Sequence, residues 1–293
     1  MNQFKTLALL ALLSGLLVAI GYYIIGGTSG IIIGIVLAAV TNLGSWFFSD
    51  KIALAAYGAQ PIGPEQAPGL HAMLERLSQR GGIPTPALYI VPSPAANAFA
   101  TGRDPQHAAV AVTEGIVNLL SEEELEGVIG HELTHVINRD TLTQAVAATI
   151  GGAISQLAYM AQWASMGAAY RGQDDRRGPN PIGLLLAAIL APVAATIIQM
   201  AISRTREFSA DAGAAQLTGN PRALASALQK LQLGARQMPI QGNPSFEPLL
   251  IINSFAGQGL ASLFSTHPST EARIERLLQL EQQMLATGSH SFS

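Results

Sequence analysis

A mainly α-helical chain with a small β-sheet (α+β), joined to four membrane-associated helices, is the architecture this sequence predicts. Three observations predict it. None of the 16 basic and 19 acidic residues falls within Thr6–Ser49, Thr141–Tyr170 or Gly178–Ser203, although 49% of the 293 residues are hydrophobic. The remaining parts show helical apolar spacing with a capping signal. Two short apolar runs flank a turn-rich stretch, as in a small sheet. Charged residues make up 12%, about half the usual quarter, and the mean hydropathy is +0.32. These values rule against a fully soluble protein.

Taken in order, Leu7–Ile25 and Ile31–Phe48 are uncharged and separated by only five small or polar residues. Each is close to the roughly 20 residues that cross a bilayer as a helix. A signal peptide is the alternative for the first, with Lys5 as its basic part, but a second apolar span follows at once. Thr141–Ser165 and Pro181–Ile202 are the third and fourth spans. They are rich in Ala and Gly, which suit close helix packing in lipid and equally a buried soluble core. The expected organisation is a transmembrane hairpin (1–49), a first polar part (50–140), a second apolar helix pair (141–203) and a second polar part (204–293).

Within the polar parts, Leu70, Met73, Leu74 and Leu77 lie at helical spacing in Glu65–Arg80, and Gly81-Gly82 ends that helix. Pro86–Val91 and Ala108–Thr113 read as strands around the turn-rich stretch Ser93–Pro105. Ser121 followed by Glu124 forms a capping-box pattern that opens a helix through about Ile137. Further helices are expected over Thr196–Leu217, Pro221–Ala235 and Thr270–Leu285.

A net charge of −3 supplies no basic field for nucleic acid. The chain has no Cys, so disulfides, thiolate metal sites and cysteine nucleophiles are excluded, and any metal site must use His and carboxylates. Lys5, Lys51, Arg139, Arg204 and Arg206 fall on one side of the expected membrane, against Arg171, Arg176 and Arg177 on the other. The majority places the polar parts in the cytoplasm.

His131-Glu132-Leu133-Thr134-His135 is an H-E-x-x-H sequence within the helix opened by Ser121. Its spacing sets both imidazoles on one face, one turn apart, where they can ligate one zinc ion; Glu132 stands beside them to accept a proton from water. A catalytic zinc usually has three protein ligands. The extended pattern with a third His fails, since residue 141 is Thr. Glu207 and Asp211, at i and i+4 just beyond the fourth apolar segment, supply the third ligand and a carboxylate that can orient a ligating His N–H. A surface carboxylate pair would show the same spacing. Asp140 competes as ligand, although its place at the helix end suits capping or local pairing.

These residues, with the apolar hairpins, Asn97–Gly102 and Thr266–Arg273, resemble the HtpX family of bacterial membrane zinc metalloproteases. The CAAX prenyl endopeptidases are more distant relatives. The resemblance runs through the whole chain in order. It implies a gluzincin-like catalytic domain, one zinc ion per chain held by His131, His135 and Glu207, and Glu132 as general base. It further implies an edge strand that pairs with an extended substrate peptide, at Asn97, Ala98, Phe99 and Ala100. His267 and Arg273 would stabilise the oxyanion or hold the cleft; a His-Pro turn and a helix-surface Arg are the plainer readings. The pattern departs at Ser269, where the family commonly has a second Pro.

By the same resemblance the chain is an endopeptidase of the bacterial inner membrane, with its catalytic domain facing the cytoplasm. Its partners are the lipid bilayer and polypeptide substrates, misfolded or damaged membrane proteins among them. An intramembrane protease is disfavoured because Glu122–Glu126 and Arg139-Asp140 flank the motif. A structural zinc scaffold is disfavoured by the absence of Cys and the presence of Glu132. A transporter finds little support in spans without ionisable residues.

Overall fold

The computed structural model describes residues 2–152, 154, 204–238, 249–252 and 268–288. Helices α1 (Asn2–Ile25) and α2 (Gly27–Ala56) form the N-terminal hairpin. Gly26 (φ 88°) and Gly27 (φ 58°) make the reversal between them, in the left-handed region that only glycine enters freely. The two helices approach closely because α2 buries small residues at four-residue spacing, among them Gly30, Gly34 and Ala38. A Cβ on Gly34 would stand 2.7 Å from Val18 Cα. Asn42 Nδ2 donates to Leu10 O (3.3 Å) and Ser14 Oγ (2.8 Å), tying the hairpin in antiparallel order.

The other face of α2 exposes Ile32, Val36, Val40, Leu43, Phe47 and Phe48. Among the described residues α2 is the one helix that meets a membrane-crossing criterion of length and composition; the apolar part of α1 that is described, Thr6–Ala19, is shorter. Of the four expected spans, α2 is thus the one that the described residues show as long and apolar enough to cross a membrane, and residues 155–165 of the third lie outside the described residues. Residues 178–203 lie outside the described residues. Of the third expected span, residues 141–152 are helical and almost all buried within the protein. The expected boundary at residue 49 also falls inside α2, which continues to Ala56 and seats Ala53, Leu54 and Tyr57 in a small apolar cluster with Phe99 and Ala111.

A four-stranded mixed sheet follows, built from β1 (Gln60–Pro61), β2 (Ala87–Val91), β3 (Ala98–Gly102) and β4 (Ala108–Thr113) in the order β1-β2-β4-β3. β2 and β4 are parallel, with Ala87 opposite Ala109. β3 lies antiparallel to β4 at the sheet's end, with Ala98 opposite Val112 and Gly102 opposite Ala108. This strand falls inside the stretch read locally as turns. Its Ala and Gly residues have weak strand preference, so pairing with β4, rather than propensity, creates it.

Helix α3 (Pro68–Gly81) starts at Pro68 and ends on left-handed Gly82, close to expectation. After β4 come α4 (Glu114–Leu119), α5 (Glu122–Ile137), α6 (Arg204–Thr218), α7 (Pro221–Gln237) and α8 (Thr270–Gly288). The main core joins α3, the sheet, α5 and α7 through Leu74, Leu77, Val110, Val112, Val128, Ile129, Leu224 and Leu228. The strongly buried α5 is thus clamped between the sheet and the C-terminal helices.

Candidate metal centre

Helix α5 begins with the expected capping box: Ser121 Oγ accepts from Glu124 N–H, and Glu124 Oε2 accepts from Ser121 N–H. Glu124 also accepts from Ser226 Oγ (2.6 Å) and Lys230 Nζ (2.7 Å) of α7. From Gly127 to Val136 every residue of α5 is buried, including His131, Glu132 and His135. Buried polar side chains on this scale must find partners.

The partners come mainly from α6. Two glycines let it approach: a Cβ on Gly213 would meet Thr134 Cγ2 at 2.4 Å, and one on Gly130 would stand 3.5 Å from Ala214 Cα. That contact brings Glu207 over the two histidines. His131 Nε2 and His135 Nε2 face each other at 3.2 Å. Glu207 Oε1 lies 3.5 Å from His135 Nε2, and Oε2 lies 3.7 Å from His131 Nε2. One ligand atom from each of the three residues falls within 4.8 Å of the others.

The outer nitrogens are engaged elsewhere. His131 Nδ1 is 2.9 Å from Asp211 Oδ1, and His135 Nδ1 is 3.1 Å from Asp140 Oδ2. Each Nδ1–H donating to a carboxylate leaves the Nε2 lone pair directed inward. Two inward lone pairs and a carboxylate converging on one point repel one another unless a cation lies among them. The donor set of two imidazoles and one carboxylate suits zinc, so the residues present fit the metal.

Asp140 reaches His135 through the end of α5. Arg139 is left-handed (φ 56°), Arg139 N–H donates to Val136 O, and Asp140 N–H donates to His135 O. This is a Schellman closure with an arginine where glycine is usual. It folds Asp140 back against the second histidine, so local pairing, rather than membership of the converging set, is where the structure places it.

Arg273 on α8 is 2% exposed. It forks onto Asp211, with Nε to Oδ2 at 2.9 Å and Nη2 to Oδ1 at 2.7 Å, and its Nη1 donates to Ile251 O at 2.8 Å. Its guanidinium therefore grips the carboxylate that orients His131. His267 lies outside the described residues.

Glu132 Oε2 accepts from Ala100 N–H at 2.8 Å, which joins the motif helix to β3. Among the edge-strand residues, Asn97 is fully buried, with Oδ1 accepting from the N–H groups of Ala98 (3.0 Å) and Ile251 (3.1 Å). Phe99 turns into the core against Tyr57, ring centroids 5.2 Å apart. Ala98 and Ala100 instead contribute backbone. The local pairing expected of Asp140 falls on His135, whereas no motif spacing indicated Ile251, which is engaged through its backbone.

Burial, with the Arg273 charge beside it, pushes His131 down to about 4. Burial raises Glu132 to about 8. His135 moves upward because Asp140, Glu207 and Glu132 outweigh its burial. Asp211 is buried too, which raises a carboxyl, yet Arg273 and the His131 hydrogen bond hold it below the usual range. A cation at the convergence point would favour ionised Glu132 and neutral imidazoles.

The model of peptidase family M48 matches residues 64–281. A "Protease HtpX homolog" of Trichormus variabilis is 69% identical over 97% of this chain and 98% of its own. Another protease of that name, from Acaryochloris marina, is 58% identical over 100% of this chain and 99% of its own. A third, from Pyrococcus furiosus, is 50% identical over 96% of both chains. The crystal structure of S. mikatae Ste24p aligns with 94% of this chain and 65% of that one at 20% identity and a TM-score of 0.48, too slight a likeness to argue from. The family match spans the whole converging site, and the relatives match nearly end to end: the chain belongs to peptidase family M48, among the HtpX proteases, and is a metalloprotease.

Proposed function

We propose that the chain is an integral-membrane zinc endopeptidase that hydrolyses peptide bonds of misfolded or damaged membrane proteins, with Glu132 as general base. The observation that carries this reading is the convergence of His131, His135 and Glu207 with Glu132 beside them on the same helix. A zinc ion held there by those three side chains supplies Lewis acidity that polarises a peptide carbonyl and acidifies water. Glu132, anchored by Ala100 N–H, takes the proton from the attacking water and returns it to the leaving amine. Asp211 and Asp140 fix the two imidazoles in the tautomer that turns Nε2 inward. Arg273 holds Asp211 in place and is a positioning residue in this scheme.

Membrane attachment is supported by the exposed apolar face of α2, and a cytoplasmic site by Lys5 and Lys51, which bracket a hairpin whose own turn has no charge; the membrane proposed is the bacterial inner membrane. A site continuous with that helix through Tyr57 and Phe99 suits substrates presented close to lipid. The testing experiment is cleavage of an unfolded protein by the full chain purified in detergent, with and without zinc, alongside Glu132→Gln. Zinc-dependent cleavage that falls at least a thousandfold in Glu132→Gln, while that variant still binds zinc, is the expected result. Full activity in the variant would sink the assignment of Glu132.

A further inference from the structure

The free edge of β3 is already engaged. Thr113 N–H donates to Asn97 O, and the register sets Phe99 opposite Ala111 and Thr101 opposite Ala109. Antiparallel alternation therefore turns the backbone groups of Phe99 and Thr101 towards β4, and those of Ala98, Ala100 and Gly102 outward. Ala98 C=O accepts from Ile251 N–H at 3.1 Å. Ala98 N–H donates to Asn97 Oδ1, Ala100 N–H to Glu132 Oε2, and Thr141 Oγ1 donates to Gly102 O. Of these four contacts, the one from Ile251 is made by the backbone of a separate segment in the position that peptide pairing at an edge strand requires.

Ile251 is held at both of its backbone groups. Its N–H is shared between Ala98 O and Asn97 Oδ1, each 3.1 Å away. Its C=O accepts from Arg273 Nη1 at 2.8 Å, and Ile252 O accepts from Asn97 Nδ2 at 3.4 Å. Residues 249–252 are a 3-10 residue followed by bends rather than a strand, so among the described residues no ladder extends from this contact and β3 is the sheet's edge. The Ile251 side chain is 1% exposed within the main apolar cluster. Of the groups that grip this backbone, Arg273 adjoins the converging histidines, with Nη2 3.3 Å from His131 Nδ1, and the strand that carries Ala98 reaches the motif two residues on, where Ala100 N–H donates to Glu132 Oε2.

We propose that Leu249–Ile252 is a built-in pseudosubstrate. Ile251 occupies the place that an aliphatic residue of an extended substrate takes against β3, and a substrate gains the site by displacing it. This rests on the proteolytic reading above. Selectivity for unfolded chains follows, because only a segment with free backbone N–H and C=O groups and an aliphatic side chain replaces all of Ile251's contacts.

The test is hydrogen exchange on the full zinc-loaded chain in detergent, using Glu132→Gln so that an unfolded casein binds without being cut. At casein concentrations that saturate wild-type turnover, the Ile251 amide is expected to exchange at least tenfold faster than without casein, while Ile129 in α5 is unchanged. Unaltered Ile251 protection under those conditions overturns the proposal and makes the segment a fixed wall of the cleft, with the proteolytic reading intact. The second arm is Ile251→Pro, which removes the shared N–H. If it folds and still binds zinc, kcat/KM on a short peptide should rise several-fold through a lower KM, and an unchanged or lower value counts against the proposal. If the variant misfolds, the exchange experiment decides. If neither wild type nor a folded Ile251→Pro cleaves with zinc present, the proteolytic reading fails and the pseudosubstrate fails with it.

Discussion

Nε2 of His131 and Nε2 of His135 face each other across 3.2 Å, while the other nitrogen of each ring lies within hydrogen-bonding distance of its own buried carboxylate. Such an arrangement stores repulsion that a divalent cation relieves, so metal binding and folding are coupled. Stripping the protein with a chelator is therefore expected to abolish activity and lower the melting temperature together. Free zinc at a thousand times its Kd restores about 4 kcal/mol of stability by mass action. Differential scanning fluorimetry across a zinc titration measures it; a melting temperature indifferent to zinc would contradict the coupling.

Asp211 lies between His131 and Arg273, all three almost wholly buried. Asp211→Ala strips the buried guanidinium of its paired carboxylate, leaving Glu207 Oε2 at 4.0 Å from Nη1, a loss of about 3–5 kcal/mol, and removes the orienting acceptor from His131, weakening metal affinity about 10–100-fold. The double variant Asp211→Ala/Arg273→Leu is expected to regain stability without regaining metal affinity. Denaturation and competitive zinc titration, run on both, separate the two roles.

How much of this was legible beforehand differs by residue. The facing of His131 and His135 was, because a helix repeats every 3.6 residues and so fixes where they and Glu132 point relative to one another, whereas the approach of Glu207 was suggested by the family resemblance more than by spacing. The helix start at Ser121 was legible for the same local reason. β3 was not visible in the local pattern, since Ala98, Ala100 and Gly102 carry little strand preference and owe their conformation to β4. Asp140 was read as a helix-end residue, but its partner depends on a left-handed Arg139, a conformation arginine rarely adopts and that no pattern of residue types announces. Ile251 was unreadable, because its role resides in its backbone. For the apolar windows, composition alone does not separate a helix facing lipid from one buried in protein: α2 exposes an apolar face, whereas residues 141–152 are buried, with Thr143 against Thr6 of α1.

Glu124 couples the start of α5 to α7. Burial alone would raise its carboxyl, but hydrogen bonds from Lys230, Ser226 and the Ser121 N–H hold it below its ordinary value. A carboxylate depressed in the folded state stabilises above its unfolded pKa, about 4.3, and that stability is lost as pH falls through the lower folded value. Glu124→Gln is thus expected to cost about 1–3 kcal/mol at pH 7. The gap to wild type should close below about pH 4. Thermal melts of both proteins from pH 7 to pH 3 test this, and a gap that persists at the acid end would show that shape rather than charge sets the contact.

The position of Glu207 depends on how closely α6 lies against α5, and Gly213 sets that distance. A Cβ there would stand 2.4 Å from Thr134 Cγ2 and 2.7 Å from its Oγ1. Thr134 has little room to yield, because its hydroxyl donates to Gly130 O at 2.8 Å and its neighbours on the helix are buried. Gly213→Ala must therefore push the helices apart, with an overpacking cost of about 1–3 kcal/mol. Since Glu207 rides on the same helix, the shift also draws its carboxylate away from the histidines, and zinc affinity falls with stability. Thr134→Ala removes both obstructing atoms. The pair Gly213→Ala/Thr134→Ala is accordingly expected to be more stable than the sum of the single changes by at least 1 kcal/mol, as contacting residues are when their effects do not add. It should also recover most of the zinc affinity. Strict additivity in that cycle would mean that the helix separation is set elsewhere, and that Gly213 does not govern where the third ligand stands.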